Sequence, residues 1–192
     1  MNEPLIENGF AKVGGGTWLV GANQPAAALG TFTPKNFRGW LVPDRSRVHL
    51  VENSGTLWCA EKERPFLTHI ACAAPISVVS DRLLLAPAAA RSASTLVRVI
   101  PFSVRNAICV TECTKEWIVL ATRSRLVRIV LEEGELLTTR LECAVAWSTP
   151  KPTGFCPKLK LSDILFPKKR NNNLMLHFYG PGIVWLEGAN AS

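Results

Sequence analysis

The chain has 192 residues, of which 47% are hydrophobic and 19% are charged. This length and composition exclude a disordered chain and are sufficient for a single domain that folds without disulfides or metal ions. Lysine and arginine outnumber aspartate and glutamate by 22 to 15, and the net charge of +7 favours RNA, anionic lipid or acidic proteins as partners. No apolar run reaches the roughly 20 residues of a membrane-spanning helix, so we expect no transmembrane segment.

The amino-terminal segment, residues 1–12, is expected to be extended or flexible and to precede the strands of one β-rich domain, residues 1–192. It contains Glu3 and Glu7 and no basic stretch followed by an apolar core, so we predict no secretory signal. The next feature, Gly14-Gly15-Gly16, fits neither the phosphate-loop nor the dinucleotide-binding pattern. An extended segment follows it, and we therefore predict a tight turn or a bulge there.

Short apolar segments separated by Gly, Pro, Asn and Ser continue along the chain and predict strands. Two hairpins are expected, each with a glycine in its turn: 47–52 with 56–60, and 174–179 with 183–187. Between them lies a series of four predicted strands, 117–122, 125–131, 136–141 and 144–147. Apolar residues occupy successive positions in 125–131, so we expect both faces of that strand to be largely covered.

The predicted fold class is therefore all-β: a double-stranded β-helix or roll, or a sandwich-like fold, with at most one or two short helical turns. The candidate helical segments are 83–94, which Pro87 would break, and 161–166, which Pro167 would end. A tryptophan shortly after a turn glycine recurs at four places, and core packing is the expected use because each ring buries a large area. A row of rings for an aromatic ligand or for nucleic-acid bases is the alternative. The four are Trp18, Trp40, Trp58 and Trp185.

The six cysteines lie within or next to apolar segments and are expected to be reduced, buried and small hydrophobic residues. They are Cys59, Cys72, Cys109, Cys113, Cys143 and Cys156. Cys109 and Cys113 have the spacing of two zinc ligands, but structural zinc needs four ligands and no second close pair of Cys or His is present. Positions four apart on a strand share a face, so two buried thiols are the simpler interpretation.

No combination of residues in the sequence indicates catalysis. The three histidines, His49, His69 and His177, are isolated, and no nucleophile elbow, paired-acid motif or metalloprotease motif accompanies them. We therefore predict no catalytic residues, no cofactor, no metal site and no enzyme activity. A ligand held inside the roll is an alternative, and His49, His177 and Tyr179 would be the polar groups to examine first.

One tight basic cluster, Lys168, Lys169 and Arg170, stands beside three asparagines. Loops are normally polar and exposed, so this segment has the composition of a solvated loop. The alternative is a contact with an anionic partner, through phosphate groups or acidic side chains.

The carboxyl-terminal part of the chain resembles a known family. The resemblance is carried by the order of the segments Arg125 to Leu137, Cys143-Ala-Val-Ala-Trp147, Leu159-Lys-Leu, and Leu176-His-Phe-Tyr-Gly-Pro-Gly-Ile-Val-Trp-Leu-Glu187. This order is similar to that in the altered inheritance of mitochondria protein twenty-four family. The resemblance implies a β-roll like that of the tryptophan RNA-binding attenuator protein, often a homotrimer, and a role beside the cristae-organising machinery of the mitochondrial inner membrane.

Two functions from different classes follow. The first is a non-catalytic structural or assembly protein that presents a β scaffold to protein partners in a larger assembly. The alternative is a basic RNA-binding or mitochondrial-ribosome-associated subunit, suggested by the net charge and the six tryptophans. The expected location is mitochondrial, or cytoplasmic if the protein is bacterial, and an anionic membrane surface is a further expected contact.

Overall fold

The computed structural model describes residues 3–21, 26–35, 48–98, 107–114, 116–155 and 174–188. The first ten strands are β1 (Leu5–Glu7), β2 (Phe10–Val13), β3 (Gly16–Val20), β4 (Ala27–Ala28), β5 (Phe32–Lys35), β6 (His49–Asn53), β7 (Leu57–Cys59), β8 (Phe66–Ala71), β9 (Ile76–Val79) and β10 (Leu83–Pro87). A single 3₁₀ turn follows at Ala88–Ala90, and it is the one helical element within these ranges. The remaining strands are β11 (Arg91–Arg98), β12 (Ala107–Cys113), β13 (Trp117–Thr122), β14 (Leu126–Leu131), β15 (Leu136–Arg140), β16 (Ala144–Trp147), β17 (Thr153–Phe155), β18 (Met175–Tyr179) and β19 (Gly182–Glu187).

These strands form four antiparallel sheets. Sheet A has the order β1-β2-β7-β4, and sheet B has the order β5-β6-β3-β10-β13-β8. Sheet C has the order β11-β12-β9-β16-β19-β14, and sheet D has the order β15-β18-β17. The predicted all-β fold class is confirmed.

Three apolar cores separate the four sheets into layers. One lies between sheets A and B and includes Val13, Leu57 and Trp18. The second joins sheets B and C and includes Leu19 and Trp185. The third joins sheets C and D through residues such as Trp147 and Phe178, whose ring centroids are 5.4 Å apart. Sheets B and C are therefore the inner layers, and sheets A and D cover them.

This layering explains why a central strand such as β13 is apolar at nearly every position. In β13, Trp117 and Val119 belong to the core on the sheet A side, whereas Ile118 and Leu120 belong to the core on the sheet C side. All six residues of β13 are buried. Strands that are covered on both faces have continuous apolar sequences instead of alternating ones.

The two predicted hairpins are wrong, although their strands and turns are present. β6 belongs to sheet B and β7 to sheet A, while β18 belongs to sheet D and β19 to sheet C. Each turn therefore carries the chain from one layer to the next. A turn of this length supports either a hairpin or a corner between stacked sheets, and burial of the apolar faces favoured the corner.

The prediction for 125–131 is also wrong. β14 is the last strand of sheet C, and its Val127 and Val130 side chains are 54% and 55% exposed. The expected short helix at 83–94 is instead the whole of β10, the 3₁₀ turn and the start of β11. The other candidate helical segment, 161–166, lies outside the described residues.

The expected turn at the glycine triplet is confirmed by the bend that leads from β2 in sheet A to β3 in sheet B. The Gly14 carbonyl accepts a hydrogen bond from the indole nitrogen of Trp18 at 3.2 Å. A side chain at Gly15 would come within 2.8 Å of the Ser54 carbonyl oxygen, so close backbone approach accounts for that glycine.

Core packing of the tryptophans is confirmed for Trp18 and Trp185. Trp58 is half-buried, with the ammonium group of Lys12 5.7 Å from its ring centroid. Trp40 lies outside the described residues. The described rings belong to different layers, with Trp18 between sheets A and B and Trp185 between sheets B and C. They do not form one row for stacking bases.

Candidate interaction surface

The predicted basic cluster, Lys168, Lys169 and Arg170, lies outside the described residues. Its contact with an anionic partner remains a prediction from the sequence. In the described part of the chain, positive charge is concentrated elsewhere, at the exposed side chains of Arg123, Arg125 and Arg128.

The three polar residues suggested for an internal ligand do not come together. His49 is exposed on β6 of sheet B, whereas His177 and Tyr179 lie on β18 of sheet D. His177 Nδ1 is hydrogen bonded to the Thr138 hydroxyl at 2.8 Å, and its ring stacks on Phe155 at 4.2 Å. Sheets B and D are separated by sheet C, so these residues cannot line one cavity.

The buried cysteines have the properties of packing residues. Cys59, Cys72 and Cys113 are at most 8% exposed, as the sequence predicted. Burial raises the pKa of Cys59 to about 12 and that of Cys72 to about 11. Because the thiolate is both the nucleophile and the metal ligand, these groups are held in their inert form at neutral pH.

Metal binding finds no support in the described ranges, where no three His, Cys, Asp or Glu side chains are grouped to hold an ion. The same ranges contain no helix long and apolar enough to cross a membrane. Cys113, one of the two cysteines with zinc-like spacing, is buried in the core between sheets B and C.

An ionic cluster that was not predicted from the sequence lies at one rim of sheets B and C. The carboxylate of Glu187, at the end of β19, is 2.9 Å from the guanidinium of Arg82, which lies in the turn from β9 to β10. The same carboxylate accepts a hydrogen bond from the backbone N–H of Arg123, in the connection from β13 to β14. Asp81 extends the cluster to Arg64 at 3.1 Å.

Arg82 and Glu187 are nearly enclosed, with side chains 12% and 7% exposed. Burial lowers the pKa of the Arg82 guanidinium, an effect that the charge of Asp81 opposes. The pair ties the end of β19 to two connections between the inner sheets, and both contacts of the Glu187 carboxylate named above are with groups of the protein itself. We therefore interpret this ion pair as a structural contact that stabilises the fold. In the sequence, the one indication of this ionic cluster is that Glu187 places a charge at the end of an otherwise apolar strand.

Large apolar side chains are exposed at Leu5, Ile6 and Phe10 of sheet A and at Leu29 and Phe66. Two further exposed apolar features belong to sheets C and D. The first is the β14 edge, defined as residues 126–131, with Val127 and Val130 exposed. The second is the sheet D face, where Leu136 and Tyr179 are Cα partners across β15 and β18 and are 52% and 48% exposed. Leu136 and Tyr179 share one face of sheet D, and grouped exposed apolar side chains mark interaction sites in soluble proteins.

Comparison with known proteins places the fold but not the function. The chain matches no protein-family model and no curated protein. Among solved structures it is similar to the crystal structure of protein SPYM3_0169 from Streptococcus pyogenes, with a TM-score of 0.69 and 14% sequence identity. The similarity covers 94% of this chain and 88% of that chain. The layered all-β architecture is thus shared with a bacterial protein of nearly the same extent.

Proposed function

We propose that the protein is a non-catalytic structural or assembly protein whose rigid β scaffold presents surfaces to protein partners. The observation that carries this proposal is the contrast between core and surface. The buried thiols pack in the cores and the Arg82–Glu187 ion pair stabilises the connections between sheets, whereas large apolar side chains stay exposed on the β14 edge and the sheet D face.

The sheet D face is the surface that we assign to a protein partner. Leu176 and Phe178 point from β18 into the core. Because side chains alternate along a strand, His177 and Tyr179 face outwards. Together with Leu136 and the Phe155 ring on His177, they combine aromatic and apolar groups on one face. Aromatic residues are enriched at protein interfaces because they bury a large area with few rotatable bonds.

The resemblance to the altered inheritance of mitochondria protein twenty-four family suggests where such an assembly would lie. By that resemblance the protein would act at the mitochondrial inner membrane, with a homotrimer as one form of assembly. If the protein is bacterial, it would act in the cytoplasm. Both locations are part of the proposal.

RNA or ribosome association is the second candidate. It is supported by the net charge of +7 and by the exposed Arg123, Arg125 and Arg128. Binding through phosphate contacts falls steeply with added salt because counterions are released. The salt dependence of partner binding therefore distinguishes a protein scaffold from an RNA-binding protein.

The deciding experiment is gentle purification of the tagged protein from its native cells at low and at high salt, with the co-purifying molecules identified by mass spectrometry and RNA sequencing. We expect a defined set of proteins that survives high salt and is lost in the variant Leu136→Ser/Tyr179→Ser. A matched control is Leu5→Ser, which removes a side chain that is 52% exposed on sheet A. Recovery of RNA that is lost at high salt would favour the second function, and recovery of the protein alone would reject both.

A further inference from the structure

The free side of β14 has a defined hydrogen-bonding pattern. In β19, the Ile183 carbonyl accepts from the Ser148 N–H at 2.8 Å, and the Glu187 N–H donates to the Cys143 carbonyl at 2.8 Å. Odd-numbered residues of β19 therefore direct their backbone groups towards β16. Even-numbered residues face β14 and bond to Val127, Ile129 and Leu131, their register partners.

It follows that Leu126, Arg128 and Val130 direct their N–H and C=O groups to the other side of β14. Within the described residues β14 pairs with β19 alone. A largely apolar six-residue strand with one side that none of the described residues pairs is a template for another strand.

We propose that β14 pairs with β14 of a second copy of this chain, antiparallel and about a two-fold axis through Ile129, so that sheet C continues across the dimer. This inference rests on the proposed assembly function and names one partner in it. Because the contact is isologous, each pairing occurs twice.

The charges that flank β14 favour an antiparallel pairing, and an axis through Ile129 keeps residues 127–131 of the two strands opposite each other. β14 is preceded by Arg125 and followed by Glu132 and Glu133, so an antiparallel copy brings opposite charges together. A two-fold axis through Ile129 sets Arg125 opposite Glu133 of the second copy. It also sets Arg128 opposite Val130 of the second copy and diagonal to the second copy's Glu132, which is within reach of a long side chain.

A shift of the axis by one residue, to Arg128, would set the two Arg128 side chains directly opposite each other. Like charges at directly opposed positions destabilise a strand pair. Arg128 therefore excludes that register, whereas the register centred on Ile129 gives it an acidic neighbour.

The acidic end of the strand is held in place by its own turn. The Glu132 N–H donates to Glu135 Oε2 at 2.7 Å, and the Glu135 N–H donates to the Glu132 carbonyl at 3.2 Å. The side chains of Glu132 and Glu133 are exposed, as are those of Arg125 and Arg128. All four charges are thus available to a second copy without a change in the chain.

One edge strand of sheet B, β8, does not offer the same arrangement. β8 has no charged residue, and Arg64, just before it, is already paired with Asp81. β8 therefore has no charge pattern that would fix a register with itself. Of these two edge strands, β14 is the one whose charges favour self-association.

The test is the mass of the purified protein in solution, measured by sedimentation or light scattering over a range of concentrations. We expect a dimer, with twice the chain mass of 21.0 kDa. Arg128→Glu and Glu132→Arg should each raise the dimer dissociation constant by about tenfold or more, because two attractive contacts become repulsive. The double variant Arg128→Glu/Glu132→Arg should restore it to within about threefold of the original value.

Two further variants keep the test independent of folding. Val130→Pro removes an N–H that faces the open side, and proline is tolerated at such edge positions, so it should give a folded monomer. Lys62→Glu makes the same charge change as Arg128→Glu at another exposed site and should leave the dimer unchanged. Circular dichroism and thermal melting confirm that each variant is folded.

A monomer at every concentration would overturn the inference, as would an oligomer that responds to neither single charge reversal. A trimer insensitive to Val130→Pro would overturn it as well. The proposed function can fail independently of the dimer. It would be rejected if the dimer forms but no other protein co-purifies with the tagged protein at high salt. It would stand if the protein is a monomer and a defined set of proteins still co-purifies with it at high salt.

Discussion

The guanidinium of Arg82 and the carboxylate of Glu187 lie 2.9 Å apart and nearly out of contact with water. Arg82 lies in the turn that carries the chain from sheet C to sheet B, and Glu187 ends a central strand of sheet C. The Glu187 carboxylate also binds the N–H of Arg123, where the chain returns from sheet B to sheet C. One carboxylate thus fixes both crossings between the inner sheets at this rim.

Replacement of Glu187 by alanine should lower the free energy of unfolding by about 3 kcal/mol, because Arg82 would remain buried without its main partner. Urea unfolding of the variant and the parent protein measures the difference. The matched control is Glu142→Ala, which breaks a pair with Arg140 whose side chains are 58% and 64% exposed, and it should cost less than about 1 kcal/mol. Equal losses in the two variants would show that the Arg82 pair is no more important than a surface contact.

Phe178 and Tyr179 are neighbours in sequence with opposite roles. Phe178 is fully buried against Trp147 in the core between sheets C and D, while Tyr179 is 48% exposed. Phe178→Ala should therefore lower the free energy of unfolding by about 4 kcal/mol through lost burial and the cavity that it leaves. Tyr179→Ala should change it by less than about 1 kcal/mol, as surface substitutions usually do. Thermal denaturation of both variants checks the contrast, and a reversed order would contradict the assignment of faces in β18.

Gly21 lies where β3 passes close to the backbone of β10. A side chain there would lie 1.7 Å from the Leu83 carbonyl oxygen, and the backbone cannot yield without disturbing the Gly21 N–H to Leu84 carbonyl bond at 2.9 Å. We expect Gly21→Ala to destabilise the protein by about 3 kcal/mol, the upper part of the range for overpacking. Gly14→Ala is the control, because its added methyl group meets nothing within 4 Å. Chemical denaturation of both should show a loss in the first variant only.

Cys59 should make stability fall in alkaline solution. Burial raises the pKa of its thiol from 9.0 to about 12, so the folded state keeps a proton that the unfolded state releases. The stability is complete below about pH 9 and is lost as the pH rises towards about 12, by about 1.4 kcal/mol for each pH unit in that window.

Urea unfolding of the parent protein and of Cys59→Ala at pH ~8 and pH ~10 isolates this effect from other titrating groups. The variant should lose less stability between the two conditions than the parent. An identical loss would mean that the Cys59 thiol ionises as readily in the folded protein as in the unfolded chain.

Local features of the sequence predicted the strands well where the chain is apolar at every position. The segments 117–122 and 144–147 were predicted with the bounds that the structure shows for β13 and β16. Such segments have high strand propensity and are bounded by turn residues, and both properties are local. The buried use of Cys59, Cys72 and Trp18 followed from the same local apolarity.

The assignment of strands to sheets could not be predicted in this way. The turns at 53–55 and 180–182 have the composition of hairpin turns, yet each joins two layers. The choice between a hairpin and a corner depends on which apolar faces are buried together, and that is settled by residues far away along the chain. The same holds for β14, whose apolar sequence resembles that of an inner strand although it lies at an edge.

The sequence by itself therefore determined that this is an all-β protein with buried cysteines at positions 59, 72 and 113 and no recognisable catalytic motif, because propensity, turn chemistry and motif spacing are properties of short segments. Only the tertiary structure decided that four sheets stack in layers, that Arg82 meets Glu187, and that Val127, Val130, Leu136 and Tyr179 remain on the surface. Those relationships join residues from separate strands, and they arise when the whole chain buries its apolar area at once.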